Sequence, residues 1–204
     1  MTSRMRDIQK NRRDRKWSRS ELFGRAAWAL AQPFFLASPR IFWGWRRLVL
    51  RSFGARIDDG VHIHPSVRIA IPWNLTVGRD SAVGEGARLY NLGPLVIGAR
   101  VTISQHAHLC GGTHDDARID FPLVKSPITI GDDAWICANS FVGPGVVVGQ
   151  GAIVGACAVV MRDVAENSVM AGNPAKVIRA RKARPDPSTS RAVPTLTKDA
   201  GLLE

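Results

Sequence analysis

The sequence predicts an all-β solenoid, a parallel β-helix of triangular cross-section and about five coils over residues 55–180, with a helical segment before it. Two observations carry that reading. An aliphatic residue recurs at every sixth position, and the spacing stretches only after every third repeat. The series is Ile57, Ile63, Ile69; Val77, Val83, Leu89; Ile97, Ile103, Leu109; Ile130, Ile136, Val142; Val148, Val154, Val160. All fifteen are Ile, Leu or Val, types that fill only 47 of the 204 positions, so chance does not explain the run. A helix shows a period of about 3 to 4 and an isolated amphipathic strand a period of about 2, and neither gives six. A short strand followed by a turn does. Glycine often follows the aliphatic residue directly, as at Gly78, Gly98 and Gly131, where the turn is expected to need a conformation other residues resist.

The interruptions count the strands in each coil. Spacing grows from 6 to 8 between Ile69 and Val77 and between Leu89 and Ile97, and to 21 between Leu109 and Ile130. If these insertions share one corner, three hexads make one turn. Fifteen hexads then give five coils, about 24 Å of length at ~4.8 Å per strand. Each coil covers the aliphatic row of its neighbour, and no coil is stable alone.

The rest of the chain is organised around this prism. A length of 204 residues fits one domain with extensions, and 45% hydrophobic with 22% charged residues is the composition of a folded chain. The net charge of +11 is unevenly spread: +11 over residues 1–56, −4 over 57–174 and +4 over 175–204. A mildly acidic middle excludes a basic nucleic-acid groove along the prism and leaves a terminal surface attracted to anions, lipid headgroups included. Residues 1–20 read as a disordered basic leader and 181–204 as a disordered tail. Residues 21–54 carry Trp28, Trp43 and Trp45 among phenylalanines and arginines, an amphipathic helical segment. That composition suits a helix lying in a membrane interface, or one capping the open end of a solenoid, or both. Its apolar run, Ala26 to Ala37, is 12 residues long, short of the roughly 20 needed to span a bilayer. Cys110, Cys137 and Cys157 are an odd set with no disulfide framework, which fits a cytoplasmic protein, with peripheral contact at the inner membrane through residues 21–54.

The 21-residue gap holds the candidate chemistry. His114 closes its hexad and is expected to point outward at the corner, with Asn91 on the same face one coil earlier. The stretch from Leu109 through Cys-Gly-Gly-Thr-His-Asp115, the loop 113–127, and Pro127-Ile-Thr-Ile-Gly-Asp-Asp-Ala-Trp135 resembles the sugar O-acetyltransferase branch of the hexapeptide-repeat acyltransferases. That branch includes the maltose, galactoside and nodulation-factor enzymes. The aromatic stretch Ser38 to Ile57 and the closing Ala171-Gly-Asn-Pro-Ala-Lys-Val-Ile-Arg179 bring it nearest to the colanic acid biosynthesis acetyltransferases.

The resemblance implies a left-handed coil, a homotrimer, acetyl-CoA as donor, no metal and a saccharide hydroxyl in exopolysaccharide synthesis as acceptor. It implies that His114 is the general base of a direct transfer, with Asn91 and Asp115 as acceptor contacts. It also carries donor contacts onto Trp135, Ala138, Ala156, Met161, Arg162 and Arg179, where Met161 replaces a frequent threonine and Arg162 a frequent lysine. Other readings are an N-acetyltransferase acting on an amino sugar, a non-catalytic scaffold, and a metalloenzyme like the γ-class carbonic anhydrases. The last would use the pairs His62/His64 and His106/His108, each lying on one side of a strand.

Overall fold

The computed structural model describes residues 8–182, and the disorder expected of 1–7 and 183–204 lies outside the described residues. Three parallel sheets wind about one aliphatic interior. The first face stacks Arg56–Ile57, Leu75–Val77, Leu95–Ile97, Ile128–Ile130 and Val147–Val148. The second runs His62–Ile63, Ala82–Val83, Thr102–Ile103, Trp135–Ile136 and Ile153–Val154. The third holds Arg68–Ile69, Arg88–Tyr90, His108–Cys110, Phe141–Val142 and Val159–Val160. Register is set by the repeat: Ile57 pairs with Val77, Val77 with Ile97, Ile97 with Ile130, and Ile130 with Val148. All fifteen aliphatic positions of the series are buried, none more than 4% exposed. Burying such a row from both neighbours is the main stabilising term of the fold.

Two details differ from expectation. A sixth, partial coil follows the fifth: Val164 bridges to Val148, and Ser168–Ala171 adds to the second face in parallel, with Met170 under Val154. Lys176–Ala180 then returns antiparallel and closes that end. The period hides this coil because Val164 comes four residues after Val160 rather than six. The glycines that follow the aliphatic residues also serve a different purpose. The positive-φ corners are held largely by other residues, such as Asp80, Arg100 and Asp133. A Cβ at Gly78 would lie 2.7 Å from backbone atoms of Gly98 and Ala99, so it is the missing side chain that lets the next coil approach.

Three helices precede the solenoid: α1 (Ile8–Arg13), α2 (Arg19–Leu36) and α3 (Trp43–Ser52). Ser18 caps α2 through a reciprocal box with Glu21. Helix α2 lays Trp28 and Phe35 on the first coil, while α3 buries Leu50 and Arg46 completely. The Arg46 guanidinium lies at hydrogen-bond distance from the Ile63, Pro39 and Arg40 carbonyls and the Ser38 hydroxyl, and burial lowers its pKa. The aromatic segment therefore caps the prism. Residues 8–20, expected to lack order, contain α1 and the start of α2.

Candidate active site

All three insertions leave the corner between the third and first faces. The third one is a hairpin at its base: Gly112–His114 pairs antiparallel with Leu123–Lys125, and His114 lies opposite Leu123. Beyond it, Asp115 accepts from the Ala117 amide at 3.1 Å, and Arg118 forks onto Asp120 at 2.7 and 2.9 Å. These bonds give the tip a fixed shape.

His114 is exposed at the end of its strand. Its ring stacks on Phe121 with centroids 4.7 Å apart and an interplanar angle of 3°. Nδ1 stands 2.8 Å from the Phe121 carbonyl oxygen. A carbonyl only accepts, so Nδ1 is the donor, and in the neutral ring the lone pair is on Nε2. An imidazole held this way can take a proton from a group that approaches its outer edge.

The N-terminal leader grips the same hairpin. The Asn11 amide donates to the Phe121 carbonyl that also receives His114. Lys125 donates to the Lys16 carbonyl at 3.0 Å and sits 3.5 Å from the centre of the Trp17 ring. The leader's basic composition hid this docking.

Beside the hairpin, a groove of about 510 Å³ runs along the third face, lined by Gln32 of α2 and by Arg68, Arg88, Tyr90, His108 and Cys110. Its Tyr90 end reaches the hairpin, because a Cβ at Gly112 would stand 2.8 Å from Tyr90 Cε1. Arg68, Arg88 and His108 each precede an inward aliphatic residue and are paired across coils. Coil register could have revealed them, since they are one position at successive turns.

Asn91 is corrected. It is 1% exposed, its Nδ2 donates to the Ile71 carbonyl at 2.6 Å and its Oδ1 accepts from the Ile71 amide at 3.1 Å. It ties two coils together inside the corner, turned away from the outward side that bears His114. Alternation gave the signal: Asn91 lies two residues after the inward Leu89 and shares its side. The paired histidines also act separately. His62 stacks on Trp43, His64 Nδ1 is 2.8 Å from the Ser66 hydroxyl, and His108 meets Phe141 edge-on. Among the described residues no group of three His, Cys, Asp or Glu gathers as a metal site would need.

Comparison with known proteins agrees with this architecture. The family described as bacterial transferase hexapeptide (six repeats) matches residues 127–162. A galactoside acetyltransferase solved in complex with coenzyme A superposes with a TM-score of 0.76 at 23% identity, over 86% of this chain and 89% of that one. A maltose O-acetyltransferase from Clostridium difficile 630 gives 0.72 at 22% identity, over 81% and 90%. A protein of Escherichia coli (strain K12) named as a colanic acid biosynthesis acetyltransferase, WcaF, is 45% identical over 154 residues, which is 76% of this chain and 85% of that one. The chain belongs to the hexapeptide-repeat acetyltransferase family. Its solenoid is the left-handed parallel β-helix of that family.

The positions that the resemblance assigns to the donor do not share one face of the prism. Trp135 stands out of the second face, 45% exposed, with its indole N–H donating to Ser104 at 2.9 Å. Ala138 and Ala156 are adjacent on the next corner, where the Cys157 amide donates to the Ala138 carbonyl. Met161 and Arg162 line a second groove, of about 350 Å³, with Lys176. Arg179 is exposed on the closing strand opposite Val169. In a triangular prism the corner that bears His114 is opposite the second face. One chain therefore does not bring Trp135 and His114 together.

Proposed function

We propose that this acetyltransferase moves acetyl from acetyl-CoA to a hydroxyl of a saccharide used in exopolysaccharide synthesis, in the cytoplasm, with His114 as general base. The observation that carries the reading is the Nδ1 bond to Phe121, which leaves Nε2 as a base on an exposed ring beside a groove. Nε2 takes the hydroxyl proton as the sugar oxygen attacks the thioester carbonyl. The carbon–sulfur bond breaks, the ester forms, and the imidazolium returns the proton to the departing thiolate. No covalent enzyme intermediate is required. The groove of Arg68, Arg88 and Tyr90 suits a polyhydroxylated acceptor, and Asp115 adds a contact from the hairpin. Arg162, Lys176 and Arg179 supply cations for the phosphates of the donor. The opposition of Trp135 and His114 supports a site shared between neighbouring copies in a homotrimer, one supplying the base and the next the donor wall.

The test is thiol release from acetyl-CoA across a panel of saccharide acceptors. His114→Ala is expected to lower turnover by roughly 10²- to 10⁴-fold, with an unchanged circular dichroism spectrum. Equal turnover by both proteins would discard the mechanism.

A further inference from the structure

The cap has two sides, and only one faces the solenoid. From Leu22 to Leu36 every exposed position of α2 is apolar, and Phe23, Leu30 and Phe34 are each between 72% and 78% exposed. These three recur at helical spacing on one side, roughly opposite the Trp28 and Phe35 that lie on the first coil. Around α3 the pattern continues with Ile41 at 77%, Trp45 at 46% and Leu48 at 61%, again away from the buried Arg46 and Leu50. A contiguous apolar helix face of this kind is not ordinary solvated surface.

We propose that this outward face docks on an anionic lipid surface. Charge complementarity selects that occupant. Exposed arginines flank the α2 face, Arg19 one turn before Phe23 and Arg40 just after its end. Between residues 15 and 57 the sole acid is Glu21, whose carboxylate is already bonded to the Ser18 amide and lies 3.8 Å from Lys125. Aromatic and aliphatic side chains below, with arginines at the rim and no free carboxylate, match the boundary between acyl chains and acidic headgroups. The indole of Trp45 suits the same depth. A second copy of the same face fits less well, since two-fold pairing would set these arginine rims against each other. No helix among the described residues is long and apolar enough to cross a membrane, so the contact is peripheral.

The experiment is flotation of the full chain with vesicles of equimolar phosphatidylglycerol and phosphatidylcholine, and with pure phosphatidylcholine. It does not depend on the transfer reaction. Wild type is expected to float with the anionic vesicles, less so in high salt and least with the neutral ones. Replacing Phe23, Leu30 and Phe34 together by serine is expected to reduce partitioning roughly tenfold or more, with unchanged native mass and melting temperature. Should that variant misfold, the exposed pair Arg19→Glu and Arg40→Glu is expected to abolish the preference for anionic vesicles. Failure of wild type to float overturns the proposal. So does wild-type partitioning by whichever folded variant is tested, or a fall in native mass on the serine substitutions, which would make the face a contact between copies.

Discussion

The first coil and the second accept hydrogen bonds at equivalent carbonyls, but from different donors. In the second coil, the carbonyls of Val77, Ser81, Val83 and Leu89 accept from backbone amides of Asp58, His62, His64 and Ala70 in the coil below. In the first coil no turn lies below. The equivalent carbonyls of Ile57, Val61, Ile63 and Ile69 accept from the side chains of Arg51, Arg47, Arg46 and Trp28. The cap thus supplies, one side chain at a time, the donors that a further coil would have supplied from its backbone. An open sheet edge is otherwise a template for aggregation, so this closure also protects the molecule. Much of the arginine in residues 21–54 is explained by this edge, and the remainder is what is left for a surface partner.

The comparison makes a ranking that can be tested. The largest loss is expected in the wall. Ile103 is 1% exposed between Val83 and Ile136, and Ile103→Ala is expected to lower unfolding free energy by about 2–5 kcal/mol. Urea unfolding measures it, and a loss under about 1 kcal/mol would mean the coils do not depend on their shared row. Next is the cap. Arg46→Met keeps much of the volume but leaves the buried Ile63 carbonyl without its donor, at a cost of about 1–3 kcal/mol. Arg46→Lys is expected to recover little, because an ammonium cannot fork onto four acceptors spread across Ile63, Ser38, Pro39 and Arg40. A fully stable Arg46→Met protein would remove the equivalence between side-chain and backbone donors.

The same contrast explains what the sequence could disclose. The wall was legible because each coil repeats one solution, so fifteen positions vote for one six-residue period and for three strands per coil. The cap and the hairpin are made once. Nothing in the spacing of Arg46, Arg47 and Arg51 says that they meet edge carbonyls, and they read equally well as a lipid-facing set. His114 was legible as an outward corner residue, but its tautomer depends on a carbonyl seven residues later, which only the hairpin brings back. Asn91 was misplaced for a narrower reason. Its place in the coil puts it at the outward corner, while alternation along the strand turns it inward after Leu89.

The smallest expected effect concerns His108, six residues before His114 but built into the wall rather than the hairpin. Its ring stands edge-on to Phe141 at 5.3 Å, and burial, followed by the charge of Arg88, lowers its pKa below the usual 6.5. Arg88, which disfavours an added positive charge here, also lines its groove. The sign follows from proton counts. Below pH 6.5 the unfolded chain binds a proton at this residue that the folded wall resists, so stability is complete above that value and declines as pH falls toward the lower folded pKa. His64, whose pKa burial also lowers, contributes in the same direction. Replacing His108 by glutamine is therefore expected to flatten the acid-side decline in unfolding free energy between about pH 7 and 5, leaving a remainder from His64. An unchanged slope would show that the ring is as well solvated in the fold as out of it, and that the wall treats this position as surface.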